Sequence, residues 1–403
     1  MSTIADDGPR DLRFLGYQRT DGRVGIRNHL ALVSTVALSN RTAELAAARF
    51  DHSDPRDPAS PVLLVRGEFQ RGLQRADAAL QDRVIEALAT HPNVGAAVLL
   101  CHDRQAARAW TARLSAAGTP VEVLAVMDSE GVEDSISRVV AALNRMDLAR
   151  TGFVQTQCPF SALTIALECG GSDASSAVCA NPAIGKFVDR AVAAGASVIV
   201  SETAEFIGGE EVVRSQSMSP DIAQAILDRI SETESRMSGD GDHYRGVNPT
   251  AENIEAGLTT LIEKTMGALC KIGSARFSGC LSFGERPRGA GLHFMDTPFF
   301  SPCSMTGMVA AGAQITLFAM GVFNPSGNPL APTIKVCGNP TTIDRWSDGI
   351  DVGLAELIEA RIDLDEAGTR IHDSVMRVAS GEMTRTERWG EGQFIIPRFS
   401  ATF

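Results

Sequence analysis

Two short segments of this chain concentrate groups that can bind a metal ion or move a proton. The first, Glu168-Cys169-Gly170-Gly171-Ser172-Asp173, sets carboxylates, a thiol and a hydroxyl around two glycines. Glycine lets the backbone turn tightly and approach a ligand closely. The second, Ser201-Glu202-Thr203-Ala204-Glu205, carries two carboxylates three positions apart. Thiolate and carboxylate together form a mixed donor set for a divalent metal, and a carboxylate can also carry a proton. One divalent ion is expected where Cys169, Ser172, Asp173, Glu202 and Glu205 meet, with Cys169, Glu202 and Glu205 as ligands. Glu202 and Asp173 are the candidates for proton transfer. Each segment also has a plainer reading. Ser172 or Asp173 can simply cap the next helix, and the two glutamates can be the acids of a solvated helix start.

Cations matter as much, because the formal net charge is −12 and an anionic substrate is repelled at long range. Lys335 stands alone in the apolar run 333–337, where an unpaired charge is costly to bury. It must reach a carboxylate or an anionic ligand, and a role in the site is the expectation taken forward. Near the N-terminus, Arg19, Arg23 and Arg27 surround Asp21-Gly22 and lead into Asn28-His29. Guanidinium groups grip carboxylates bidentately, which makes Arg23, Arg27 and Asn28 substrate-binding candidates. The same residues could equally staple the start of the chain to a neighbouring subunit. The loop Asn324-Pro325-Ser326-Gly327-Asn328-Pro329 offers amides, Asn328 among them, and reads otherwise as a tight turn.

These groups need a scaffold. Apolar runs at 29–37, 61–65, 94–100 and 121–126 alternate with helical spacing at 40–50, 77–90, 104–117 and 133–146. That alternation reads as a parallel, doubly wound sheet, whose ligand crevice lies beyond the C-terminal strand ends. Residues 162–167, 182–194 and 197–201 repeat the strand–helix–strand logic. A long helix is expected over 250–272, then strands at 279–283, 291–295, 314–320 and 333–337 and two C-terminal helices. Residues 51–61 and 237–249 read as loops. The fold class is therefore α/β, with two lobes of Rossmann-like, mostly parallel doubly wound sheets: an N-terminal lobe, 1–150, and a C-terminal lobe, 151–403, carrying most of the site motifs.

Composition narrows the function. No stretch of about 18 apolar residues occurs, so no membrane span is expected, and the polar start lacks a signal-peptide pattern. Eight scattered cysteines suit a reducing, cytoplasmic setting better than a disulfide framework. The acidic balance and the lack of a basic run argue against nucleic acid. No G-x-G-x-x-G follows the first strand, and there is no P-loop, C-x-x-C pair or H-x-x-x-H helix. Nicotinamide, nucleotide triphosphate and structural zinc roles are disfavoured.

Taken in order, the segments Gly16-Tyr17-Gln18-Arg19-Thr20-Asp21-Gly22-Arg23-Val24-Gly25-Ile26-Arg27-Asn28, Cys169 to Asp173, Ala180-Asn181-Pro182-Ala183-Ile184-Gly185 and Ser201-Glu202-Thr203 resemble the altronate/galactarate dehydratase family. Gly257-Leu258-Thr259-Thr260, Phe294-Met295-Asp296-Thr297-Pro298 and Gly327-Asn328-Pro329 up to Lys335 extend the resemblance. It implies a lyase that removes water from a sugar acid to give a 2-keto-3-deoxy acid, with Fe2+, Mn2+ or Mg2+ as divalent metal. The large subunit of sulfolactate sulfo-lyase looks like a sister group that expels sulfite. Ser172, Asn181 and Asn328 join the substrate-binding candidates on this resemblance. It also implies a small anionic hydroxy-acid substrate, a separate small subunit and a homo-oligomer; the further alternative is a noncatalytic sugar-acid-binding homologue. Two departures stand out. Residues 65–72, Val65-Arg66-Gly67-Glu68-Phe69-Gln70-Arg71-Gly72, lack the histidine of the family's turn, and Leu100-Cys101-His102-Asp103 replaces a common Gly-Cys-Glu. Either His102 substitutes, or substrate and reaction differ.

Overall fold

The computed structural model describes residues 12–51, 62–238 and 248–400. The loop expected at 51–61 lies almost wholly outside these residues, as does most of that at 237–249. Strands β1 (Arg13–Gln18) and β2 (Val24–Gly25) lead into β3 (His29–Ser34), α1 (Asn40–Asp51), β4 (Leu63–Val65), α2 (Arg75–Ala89), β5 (Val94–Cys101), α3 (Arg104–Leu114), β6 (Val121–Ala125) and α4 (Val132–Arg150). Strands β3 to β6 form a four-stranded sheet in the order β4-β3-β5-β6, with every pairing parallel. The apolar run of β5 is buried throughout because helices cover both faces. Leu30 and Leu32 pack with Val139 and Leu143 of α4 on one face, while Ala31 and Val33 pack with Val84 and Leu88 of α2 on the other.

The rest of the chain opens with β7 (Gln155–Pro159), β8 (Thr164–Cys169), α5 (Asn181–Ala193) and β9 (Ser197–Val200). Helices α6 (Glu210–Ser215), α7 (Pro220–Ser238), α8 (Ala251–Glu255) and α9 (Leu261–Leu269) follow, then β10 (Phe277–Leu281), β11 (Gly291–Met295), α10 (Ser301–Ala310), β12 (Ile315–Met320) and β13 (Thr333–Cys337). Helix α11 (Pro340–Arg345), β14 (Val352–Gly353), α12 (Ala355–Ile358), α13 (Leu364–Ala379) and α14 (Arg385–Trp389) complete it. The second sheet has seven parallel strands in the order β10-β11-β9-β8-β12-β13-β14. The strand order reverses at β8, which leads to β9 on one side and later meets β12 on the other. Ligand crevices form at such reversals.

One expectation needs correction. The helix expected over 250–272 is broken: Gly257 takes a left-handed φ of +98°, and Thr260 starts α9 afresh with a capping box to Glu263. The segment around the N-terminal arginines, which precedes the first parallel strand as expected, belongs to a small antiparallel sheet, β2-β1-β7.

The chain also crosses between the sheets. Phe394, Leu330 and Val309 from the C-terminal part pack in the same core as Val33, Val84 and Leu88. Backbone amides of Phe399 and Ser400 donate to buried Asp77 of α2 at 3.2 and 3.0 Å. In the reverse direction, Arg27 grips Glu387 of α14 through two nitrogens, at 2.7 and 2.9 Å.

Candidate active site

Strand β8 ends in Glu168 and Cys169, and β9 runs directly into Ser201 and Glu202, so the C-terminal edge of neighbouring strands carries all four. Glu202 has φ 69° and ψ 68°, a left-handed backbone on a residue other than glycine. Such a conformation costs on the order of 1–3 kcal/mol and persists only where the surroundings enforce it. Here the Glu202 amide donates to the Thr297 hydroxyl at 2.9 Å, and Thr203 donates to Asp296 at 2.7 Å. The turn Thr203–Phe206 then places Glu205 beside Glu202.

The expected ligand trio converges. Cys169, Glu202 and Glu205 each offer a donor atom, all within 4.8 Å of one another and all buried. The Cys169 thiol donates to Glu205 Oε2 at 3.0 Å, and its sulfur lies 3.7 Å from Glu202 Oε2. Two lysines complete the group. Lys271 Nζ lies 3.1 Å from Cys169 Sγ, 3.1 Å from Glu205 Oε2 and 3.6 Å from Glu202 Oε2. Lys264 Nζ reaches Glu205 Oε1 at 3.2 Å and donates to Asn248 at 2.9 Å. Lys264 and Lys271 are two helical turns apart, so α9 and the turn after it present both on one side. Glu168 forms the back of the site. Its Oε2 accepts from Ser304 at 2.7 Å, Ser304 and Ser201 share a 2.6 Å hydrogen bond, and its Oε1 is buried with no partner among the described residues.

The electrostatics divide the three carboxyls. Burial lifts Glu168 to about 7, against the pull of Glu202, Lys271 and Ser304. Burial and the charges of Glu168 and Glu205 push Glu202 well above the carboxylate range. Burial would raise Glu205 too, but Lys271 and Lys264 outweigh it and hold it at about 2. The Cys169 thiol is pushed up by burial and by Glu205. One carboxylate is thus firmly ionised while its two neighbours compete for a proton, an arrangement that separates acid from base roles.

The donor set suits a divalent ion. Two ammonium groups and a divalent cation carry four positive charges, which three carboxylates and a thiolate would balance. Cys169, Glu202 and Glu205 would hold it, once Lys271 yields its hold on the sulfur.

The other candidates do not join this group. Asp173 accepts from Ser175, from the Ser176 amide and from Asn339 at 2.6, 2.8 and 2.8 Å, so its carboxylate is occupied in ordering the turn before α5. Ser172 is buried, and its carbonyl accepts from Asn253. Asn181 and Asn328 are buried, and each keeps one amide atom without a partner among the described residues. Arg23 pairs with Asp21 and donates to the Thr90 carbonyl, and Arg27 is spent on Glu387. Asn28 links Arg19 to the Arg150 carbonyl. The histidine-free turn at 66–69 lines a separate groove of about 870 Å³ at the end of β4, closed on one side by residues 392–398.

Lys335 is fully buried and pairs with Glu391, its ammonium 4.7 Å over the Phe323 ring. Lys335→Met should therefore lower stability by about 1–3 kcal/mol through the stranded Glu391 carboxylate, with substrate affinity unchanged. A thermal melt and a binding titration on one variant check both; weakened affinity with an unchanged melt would return Lys335 to the site.

Glu168, Lys264 and Lys271 were missing from the candidates read off the sequence. Glu168 was in view in its motif, but the lysines lay inside what read as one continuous helix.

Comparison with known proteins identifies the family. Residues 16–149 match the family described as D-galactarate dehydratase/altronate hydrolase, second domain, and residues 160–402 match D-galactarate/altronate dehydratase, C-terminal. The (2R)-sulfolactate sulfo-lyase subunit beta of Chromohalobacter salexigens is 32% identical over 96% of this chain and 97% of its own length. An altronate dehydratase of Bacillus subtilis is 28% identical over 93% of this chain and 75% of its own. The galactarate dehydratase (L-threo-forming) of Escherichia coli is 26% identical, over 94% and 75% respectively. The chain belongs to the altronate/galactarate dehydratase family, whose named members here are lyases.

Proposed function

We propose that the chain is the large subunit of a lyase that dehydrates a sugar acid or related small 2-hydroxy acid. The observation that carries this is the buried group of Cys169, Glu168, Glu202 and Glu205 with Lys264 and Lys271 at the strand ends. Loss of water beside a carboxylate requires a base for the α-proton, positive charge for the developing enediolate and an acid for the departing hydroxyl. Glu168 and Glu202 are the pair poised to exchange a proton. Lys271 and Lys264 supply fixed positive charge. A divalent ion, Fe2+, Mn2+ or Mg2+, would act as Lewis acid on the substrate oxygens. The side chains of Glu202, Glu205, Lys264 and Lys271 are at most 8% exposed, so the group is shielded from bulk water.

Sulfite is the second leaving group to consider, because the match with the sulfo-lyase subunit runs end to end. That relative is named a subunit, which supports a separate small partner for this chain. The described helices include none long and apolar enough to cross a membrane, and all eight cysteines are free, which suits our placement in the cytoplasm. The test is turnover on a panel of aldonic and aldaric acids and on sulfolactate, with metal content measured alongside. We expect 2-keto-3-deoxy acid only with the small partner present. Full turnover by this chain alone would remove the partner, and sulfite from sulfolactate with no dehydration would change the reaction.

A further inference from the structure

A second charged site lies at the opposite end of the seven-stranded sheet, away from the acid cluster. There the starts of β8 and β9 and the loop before β11 meet the β1–β2 turn and Pro92 around a cavity of about 360 Å³. Arg23 and Arg286 both line it. Arg23 spends Nε and Nη2 on Asp21 and the Thr90 carbonyl, while its Nη1 is buried with no hydrogen-bond partner. Arg286 makes no hydrogen bond or salt bridge among the described residues, and its guanidinium is near enough to Arg23 for the two to repel. Asp21 and Glu86 are the acids whose charge reaches Arg286, and each is already paired, Asp21 with Arg23 and Glu86 with Arg113, so the site keeps an excess positive charge in a chain of net charge −12. Leaving a buried guanidinium N–H unsatisfied is costly. Two converging arginines are the chemistry that recognises planar or tetrahedral oxyanions.

We infer that this cavity binds a small organic anion through a carboxylate or phosphate group held between Arg23 and Arg286. Its walls come from both the N-terminal arm and the second sheet, so the bound anion ties these parts together. Because it faces the strand starts, it is distinct from the proposed reaction site.

The test uses inorganic phosphate and malonate as probes on the full chain, read by thermal shift and by titration calorimetry. Arg286→Gln is the variant, since Arg286 holds no structural bond that its loss would break. Either anion should raise the melting temperature of the unaltered chain in a salt-sensitive way, and Arg286→Gln should weaken its binding about tenfold or more. A response to phosphate alone identifies phosphate esters as the ligand class, and a response to malonate alone identifies carboxylates. No binding of either anion, or equal binding by Arg286→Gln, overturns the inference. Neither readout depends on lyase turnover.

Discussion

Lys271→Met is expected to destabilise the chain by about 3–5 kcal/mol, the usual cost of stranding one partner of a buried ion pair. The ammonium touches Cys169, Glu205 and Glu202, all with side chains out of solvent. Without it Glu205 keeps the Cys169 thiol and a single cation, Lys264, and must either hold its buried charge on that weaker support or take a proton it now refuses. Lys271→Arg should rescue little, because a planar guanidinium cannot replace a compact point charge wedged between a sulfur and two carboxyls. Denaturant unfolding of the three proteins checks this. Equal midpoints for Lys271→Met and the unaltered chain would show that the cluster does not depend on this cation.

Glu202→Gln should do the opposite, sparing the fold and removing the activity. Burial and its acidic neighbours already favour the protonated form of Glu202, and glutamine matches that neutral shape. Little stability should be lost. Turnover should fall by about 10²–10⁴, the range for removing a general acid or base, and bound divalent metal should fall with it. Glu168→Gln serves as the companion, since Glu168 shares the proton. Unchanged turnover and metal content in Glu202→Gln would take that residue out of both roles.

Much of the scaffold was legible because buried parallel strands read as unbroken apolar runs. Residues 94–101 and 333–337 are buried from end to end, and a half-exposed strand would have shown a weaker pattern. The β1–β2–β7 sheet was not legible, since β1 alternates exposed and buried positions beside polar arginines. In the site, Cys169, Glu202 and Glu205 could be paired because strand ends in this architecture face a common crevice. Spacing could not say that Asp173, Arg27 and Asn28 are saturated by their own chain, because their partners Asn339, Glu387 and Arg150 are distant in sequence. The lysines did leave a signal. Of 37 Lys and Arg residues only four are lysines, at 186, 264, 271 and 335. Three of those four side chains are 8% exposed or less. In a chain that uses arginine nearly everywhere, a retained lysine marks a place where a guanidinium does not fit.

The crossing of the chain between its sheets bears on how it is made. Phe394 completes a core otherwise built largely from residues 31 to 114, and residues 399 and 400 satisfy Asp77. During synthesis the first sheet emerges roughly three hundred residues before those partners, at about 5–20 residues per second. For that interval it carries an open apolar face and a buried-type acid without its donors. The last packing step of the first sheet therefore waits for residue 400 to leave the ribosome.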